Sequence, residues 1–267
     1  MTQPRPITFV SDYGVDDEFV GVCHAVIARI APDARIIDLS HGVPRHDIRT
    51  GALVLRRTLR YSSPGVHIAI VDPGVSEERR AIALRCSEED RILVGPDNGL
   101  LWLAAQWFGG ISEVADIALS PFRLEPTSPT FHGRDLFAPV AAQLALGAAI
   151  SESGDLIRTE EVTKLEMPLA RIEEDHLVTH AIGKDRYGNV ILDVEHDELS
   201  GAGFLLGHPL TINDRDAVYA TTFADVEPGA LMLYEDAYNA AAIAINRGSA
   251  LTELGLELNS EIILRPI

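Results

Sequence analysis

Five short polar clusters interrupt the apolar runs of this chain, and each ends a strand-like run or opens a helix-like one. In the first, Ser11-Asp12-Tyr13-Gly14-Val15-Asp16-Asp17, Asp12 follows the apolar run 7–10. A carboxylate has two acceptor oxygens and no donor, which suits a ribose diol. Asp12, Asp16 and Asp17 together also offer hard oxygen ligands to a divalent cation. For Asp16 and Asp17, capping of the following helix is the favoured reading.

The second cluster is Val71-Asp72-Pro73-Gly74-Val75, followed by Arg79-Arg80. Asp72 is either an exposed turn residue or a partly desolvated carboxylate whose charge Arg79 holds. The third, Gly95-Pro96-Asp97-Asn98-Gly99, reads as a turn and helix cap. In the fourth, Thr130-Phe131-His132-Gly133-Arg134-Asp135, His132 precedes a helix outside any apolar stripe. A loop position of that kind favours function. Phe131 offers a flat face to a base, and Arg134 with Asp135 reads as a structural pair. In the fifth, Lys184-Asp185-Arg186-Tyr187-Gly188-Asn189, Asn189 has the donor and acceptor that an adenine edge requires, and Asp185 suits an ammonium group. The competing reading is a hairpin turn with Gly188 at positive φ.

Walker loops, the glycine-rich dinucleotide fingerprint, HExxH, CxxC pairs and the GxSxG elbow are all missing from the sequence. Triphosphate hydrolysis, zinc chemistry of those types and Ser-triad hydrolysis lack support. Across 267 residues the formal net charge is -18, which disfavours phosphate backbones and anionic membranes and favours a neutral or cationic small ligand. Cys23 and Cys86 sit in apolar periodic segments and read as core thiols of a reducing compartment. The first six residues contain no apolar stretch, and the apolar segment 138–150 is too short to span a bilayer. The expectation is a cytoplasmic protein.

The elements that must position these clusters alternate. Apolar strands are expected over 7–10, 34–39 and 66–71, with helices over 19–30, 48–59, 100–108 and 136–145 between or after them. A strand pair is expected over 80–86 and 91–94, joined by the acidic turn Ser87-Glu88-Glu89-Asp90. This predicts an α/β N-terminal domain, residues 1–155, with a mostly parallel sheet between helices. Residues 156–172 read as a linker. Residues 173–267 contain short strands over 176–182, 190–194, 209–212, 218–223, 230–234, 240–245 and 261–264, which predicts a smaller barrel-like all-β domain. Ligands of open α/β sheets bind at the carboxyl ends of the strands, where Asp12 and Asp72 fall.

Taken in order with Ile245-Asn246-Arg247-Gly248-Ser249-Ala250, the five clusters resemble the S-adenosylmethionine hydroxide adenosyltransferases, the adenosine-forming S-adenosylmethionine hydrolases related to fluorinase and chlorinase. The resemblance covers nearly the whole chain. It implies a homotrimer, with S-adenosylmethionine between the N-terminal domain of one subunit and the C-terminal domain of its neighbour. It implies no metal and no cofactor. The family's Asp-Arg-His set falls on Asp72, Arg79 and His132, its ribose-binding Asp on Asp12, and Phe131 lies beside the ribose or base. Asp185 and Asn189 match the positions reaching the methionine ammonium group and the adenine, and Tyr238 the methionine carboxylate. The related halogenases lack this Asp and His and carry an extra loop. The short Ser87–Asp90 turn leaves no room for one, so hydroxide is the expected nucleophile.

The resemblance therefore implies attack of water or hydroxide at the ribose C5′ carbon, releasing adenosine and methionine. Two other classes compete. A metal-dependent nucleoside N-ribosyl hydrolase would use Asp12, Asp16 and Asp17 as a calcium site. A non-catalytic S-adenosylmethionine or adenosine binding protein would use the same binding residues without turnover.

Overall fold

The computed structural model describes residues 3–75 and 79–267; Met1 and Thr2 of the N-terminal run lie outside them. The chain divides into two compact units, Met1–Leu165 and Glu166–Ile267. The division falls inside the stretch expected as a linker. The first part of that stretch belongs to the first unit, because Ile157, Val162 and Leu165 join its apolar core.

The first unit runs β1 (Ile7–Ser11), α1 (Phe19–Ile30), β2 (Ile36–Ser40), α2 (Ile48–Leu59), β3 (Val66–Ile70), β4 (Ala81–Cys86), β5 (Ile92–Pro96), α3 (Trp102–Trp107) and β6 (Ile111–Asp116). A π-helical turn (Gly133–Phe137), α4 (Ala138–Ala145), α5 (Ile150–Ser153) and β7 (Asp155–Leu156) follow. Its sheet has the order β2-β1-β3-β5-β4-β6-β7. The strands β2, β1, β3 and β5 are parallel, and β4, β6 and β7 extend the sheet antiparallel. Period-two alternation divides the strands between two cores. Ile7, Phe9, Val66, Ile68 and Ile70 pack with α1 and α4 on one face. Val10, Ala69 and Val71 pack with α2 and α3 on the other. Burial on both faces explains why these runs are uniformly apolar.

The order of the first strands decides where a ligand binds. The chain leaves β1 for β2 on one side, then returns to place β3 on the other. Such a reversal opens a crevice at the carboxyl ends of the two strands it separates. Ser11 pairs with Ile70 at that end, so Asp12 and Asp72 follow on neighbouring strands.

The second unit runs β8 (Arg171–Glu173), β9 (His176–Lys184), β10 (Val190–Glu195), α6 (His196–Gly201), β11 (Pro209–Ile212), β12 (Arg215–Tyr219), β13 (Leu231–Glu235), β14 (Ala240–Ile245), α7 (Ala250–Glu253) and β15 (Glu261–Pro266). Seven strands close a ring in the order β9-β10-β14-β13-β12-β11-β15, with β15 returning to β9 and β8 appended outside. Side chains such as Leu177, Leu192, Leu233, Ile243 and Ile262 fill it. Several details differ from the expected elements. The strand expected over 218–223 ends at Tyr219, and Phe223–Asp225 forms a short helical turn capped by Thr222. The strand β6 was not anticipated, because Gly109-Gly110 marks only the end of the preceding helix. The helix α6 was not anticipated either; Glu198 reaches back to the Glu195 amide and starts it.

Candidate functional site

The crevice at the ends of β1 and β3 is a cleft of about 680 Å³ in the first unit. That volume is within the range of small-molecule sites. Asp12, Asp72 and His132 all line it, together with Tyr13, Asp16, Asp17, Phe19, His41, Arg45 and His46.

Arg79 Nε donates to Asp72 Oδ1 at 2.8 Å, and its Nη2 donates to Asp72 Oδ2. Both side chains are nearly buried. A forked guanidinium matches the two carboxylate oxygens and fixes the plane of the pair. Arg79 Nη1 is held in turn by the carbonyl of Arg80. The neighbouring Arg80 points elsewhere, to Asp97 and Glu161. Arg79 is therefore the arginine of the Asp72 pair. The third cluster supports the second from below: Asn98 Nδ2 donates to the carbonyl of Val71, at the end of the run that delivers Asp72.

His132 immediately precedes the π-helical turn, and its Nδ1 lies 3.4 Å from Arg79 Nη2. A guanidinium has only donors, so the lone pair of the ring is on Nδ1 and the proton on Nε2. Burial, then the Arg79 charge, pushes the His132 pKa down, against the opposing pull of Asp72 and Asp135. The imidazole is neutral at neutral pH. Gly133 is required beside it: a Cβ there would stand 2.2 Å from the Tyr13 hydroxyl oxygen. Burial raises the Tyr13 phenol well above its usual range, so the cleft wall presents a neutral hydroxyl.

Asp12 is anchored by its backbone, whose N–H donates to Ile70, and its Oδ2 accepts the amide of His46 at 2.9 Å. Among the described residues, its other oxygen, Oδ1, accepts no hydrogen bond. Phe131 does not line the cleft. It packs edge-on against Phe19 and Tyr13, which do, with Arg134 over its ring. Arg134 and Asp135 form the expected pair. Asp17 accepts the amide of Phe19 at the start of α1, as a cap. The calcium grouping does not form. Among the described residues, three metal-ligating side chains converge at His24, Asp38 and His41, not at Asp12, Asp16 and Asp17.

In the second unit, Asp185 nucleates the turn between β9 and β10. Its carboxylate accepts the amides of Tyr187 and Asn189 and the side-chain Nδ2 of Asn189. Asn189 is buried, with its Oδ1 still open, and Gly188 has φ +82° as the hairpin reading requires. Asp236 builds the same turn between β13 and β14, accepting the amides of Tyr238 and Ala240. These two turns lie at opposite ends of the β10–β14 ladder, where Val190 pairs with Ile243 but Glu195 with Ala240. At about 3.3 Å per residue, the ladder separates them by roughly 15 Å. Tyr238 sits within the second of these turns, its amide held by Asp236. The segment brought to Asp185 is Arg247-Gly248-Ser249. Leu251 N donates to the Gly188 carbonyl, and a Cβ on Gly188 would lie 2.1 Å from Ser249 Oγ.

Sequence reasoning also passed over His41 and His46. Both follow β2, whose carboxyl end carries the same signal that marked Asp12 and Asp72.

An α/β crevice lined by Asp72 and His132, with Arg79 clamped to Asp72, in a chain whose second unit is a closed barrel carrying the Asp185 turn defines a class. Residues 7–154 match the SAM hydroxide adenosyltransferase N-terminal domain, and residues 180–263 match the corresponding C-terminal domain. The chain belongs to the SAM hydroxide adenosyltransferase family. It is similar to the (R)-S-adenosyl-L-methionine hydrolase of Salinispora tropica, 42% identical over 257 residues and 95% of each chain. The (R)-S-adenosyl-L-methionine hydrolase of Thermus thermophilus is 35% identical, covering 95% of this chain and 96% of that one. A fluorinase of Nocardia brasiliensis is more distant, at 27% over 92% of each. The crystal structure of an uncharacterized conserved protein from Thermotoga maritima superposes with a TM-score of 0.89 at 32% identity, covering 97% of this chain and 99% of that one. No helix among the described residues is long and apolar enough to cross a membrane.

Proposed function

We propose that this chain is an S-adenosyl-L-methionine hydrolase that forms adenosine and L-methionine. The observation that carries the reading is the Asp72–Arg79–His132 arrangement at the β1/β3 crevice, in a chain of this family. Water attacks the ribose C5′ carbon opposite the sulfonium. The new bond is C5′–O; the C5′–S bond breaks, and its electron pair leaves on sulfur as a neutral thioether. No acid is needed for that departure. The chain must instead hold a water in line and accept a proton. The Nε2–H of neutral His132 points the water oxygen at C5′, and Asp72 takes the proton through a lone pair not used by Arg79. General-base assistance of this kind gives ~10²–10⁴-fold, with a further gain from holding the water in line. The reaction needs no metal or other cofactor in this scheme.

Asp12 Oδ1 is assigned to the ribose diol, and Phe131 backs the aromatic wall beside it. Asn189 is assigned to the adenine edge and Asp185 to the methionine ammonium group. The carboxylate of that head group is assigned to Tyr238. The reading includes a homotrimer in which neighbouring subunits share sites, and a cytoplasmic setting in keeping with the free, buried Cys23 and Cys86. Mixing Asp72→Asn and Asp185→Ala subunits restores activity if the sites are shared, and restores none if each chain is self-contained.

The decisive experiment incubates the purified protein with the R and S sulfonium epimers in H₂¹⁸O, with and without chelator, and resolves products by mass spectrometry. Adenosine carrying ¹⁸O together with methionine, unchanged by chelator, is the expected result. Free adenine or loss of turnover on chelation overturns it, and bound ligand without turnover makes the chain a binding protein.

A further inference from the structure

Behind the β1 end of the cleft lies a cluster that the hydrolysis does not use. His24 on α1, Asp38 on β2 and His41 just beyond β2 bring His24 Nε2, Asp38 Oδ1 and His41 Nε2 within 4.8 Å of one another. The Asp38 oxygen is 2.8 Å from His24 Nε2 and 3.0 Å from His41 Nε2. We propose that these three side chains form a binding site for a divalent transition-metal ion of the zinc type.

The second observation is at His41. Its ring is almost fully buried, yet Nε2 makes no hydrogen bond; the nearby Asp38 oxygen lies off the donor direction. The other ring nitrogen is 2.7 Å from Ser11 Oγ, a buried hydroxyl that already accepts the amide of Tyr13. In the tautomer in which Nδ1–H donates to Ser11, the Nε2 lone pair faces a carboxylate oxygen, and a cation between them turns that repulsion into ligation. A ligating histidine whose second nitrogen is tied to a buried polar group is the usual outer-sphere pattern of metal sites. Phe9 packs against both imidazoles, at centroid distances of 4.8 Å for His41 and 6.3 Å for His24, and limits their rotation.

The donor set selects the ion. Two imidazoles and one carboxylate suit zinc, copper, nickel or iron, and offer too few oxygens for calcium or magnesium. Tetrahedral zinc at its usual bond lengths spaces its ligands about 3.3 Å apart. Asp38, a half-exposed side chain, must then retreat by a few tenths of an ångström, and the partly exposed His24 must turn so that the two histidine nitrogens, within 4.8 Å of one another, close to the same spacing. The open side of the cluster leaves a fourth position to water. Loading would stiffen the 41–46 loop, whose His46 amide holds Asp12 and whose His41 carbonyl accepts the amide of Gly14. The site takes no part in the displacement: its occupancy is read in metal affinity and melting temperature, and its emptying leaves turnover unchanged.

The test titrates chelator-stripped protein with zinc chloride against a fluorescent competing chelator. It is repeated on His24→Gln and Asp38→Asn, neither of which is assigned to the reaction. One saturable zinc per wild-type chain is expected, with affinity reduced at least ~10-fold in each variant. Cobalt(II) added to the stripped wild type gives intense visible ligand-field bands that Asp38→Asn loses, and zinc raises the melting temperature of the wild type but not of His24→Gln. Absence of one-to-one binding, or unchanged affinity in either variant, overturns the proposal.

Discussion

Arg79 grips both carboxylate oxygens of Asp72 from seven residues downstream, while the adjacent Arg80 turns away to Asp97. The pair is nearly buried, so its geometry is fixed before substrate arrives. Asp72→Asn keeps the shape but removes the proton acceptor. The expected result is a fall of ~10²–10⁴-fold in kcat with KM nearly unchanged, measured by adenosine release. Arg80→Lys serves as the control and leaves kcat near wild type. An Asp72→Asn enzyme of normal rate removes the proton-transfer role.

The neutrality of His132 has a pH signature. Its folded-state pKa lies below the ordinary 6.5 because of burial and the Arg79 charge. Activity should therefore persist below pH 6.5 and fall only when the ring protonates and its lone pair toward Arg79 is lost. His132→Gln retains a donor but cannot titrate, so the acid limb assigned to this group disappears from its kcat profile. An unchanged limb in that variant assigns it to another group.

His67 makes the fold acid-sensitive independently of catalysis. Burial, reinforced by Arg91, lowers its pKa from 6.5 to about 3. The folded chain refuses a proton that the unfolded chain accepts below pH 6.5. The group's contribution is complete above that pH and is lost as the pH falls toward 3, at roughly 1.4 kcal/mol per unit. Denaturant midpoints should drop by the equivalent of roughly 2 kcal/mol between about pH 6.5 and pH 5. His67→Gln flattens that part of the curve, even if its stability at neutral pH is lower through loss of the Thr8 contact.

Gly133→Ala tests the packing that aims His132. The added methyl group would overlap the Tyr13 hydroxyl and press on the Phe131 ring, 3.3 Å away. Overpacking of this kind costs about 1–3 kcal/mol. A lower melting temperature together with a raised KM is expected, since Tyr13 lines the cleft. Wild-type values for both indicate that Tyr13 is free to move aside.

The positions of Asp12 and Asp72 were legible because each ends an apolar run, and topology then sets the two runs side by side. His132 was legible because it stands outside the stripe of the following helix, although the π-helical turn that carries it has no sequence period of its own. The turn over 185–189 was legible from its glycine, but not the hydrogen bond between the Asp185 and Asn189 side chains. The placing of Arg247-Gly248-Ser249 against the Asp185 turn was not legible, because it depends on which strands meet in the ring, and a local pattern does not encode that. His41 carries the same strand-end signal as Asp12, yet its unsatisfied nitrogen exists only in three dimensions.

The ring of the second unit closes through β9, which pairs with both β10 and β15. The strand that completes the circle is thus the last in the sequence, about eighty residues after the strand it joins. During synthesis, the first unit has all of its strands available while the barrel still lacks its closing stave, leaving open edges on β9 and β11. Those edges are exposed until Glu261–Pro266 leaves the ribosome. Truncation within that strand should yield chains with a folded first unit and an adhesive, unfinished second one.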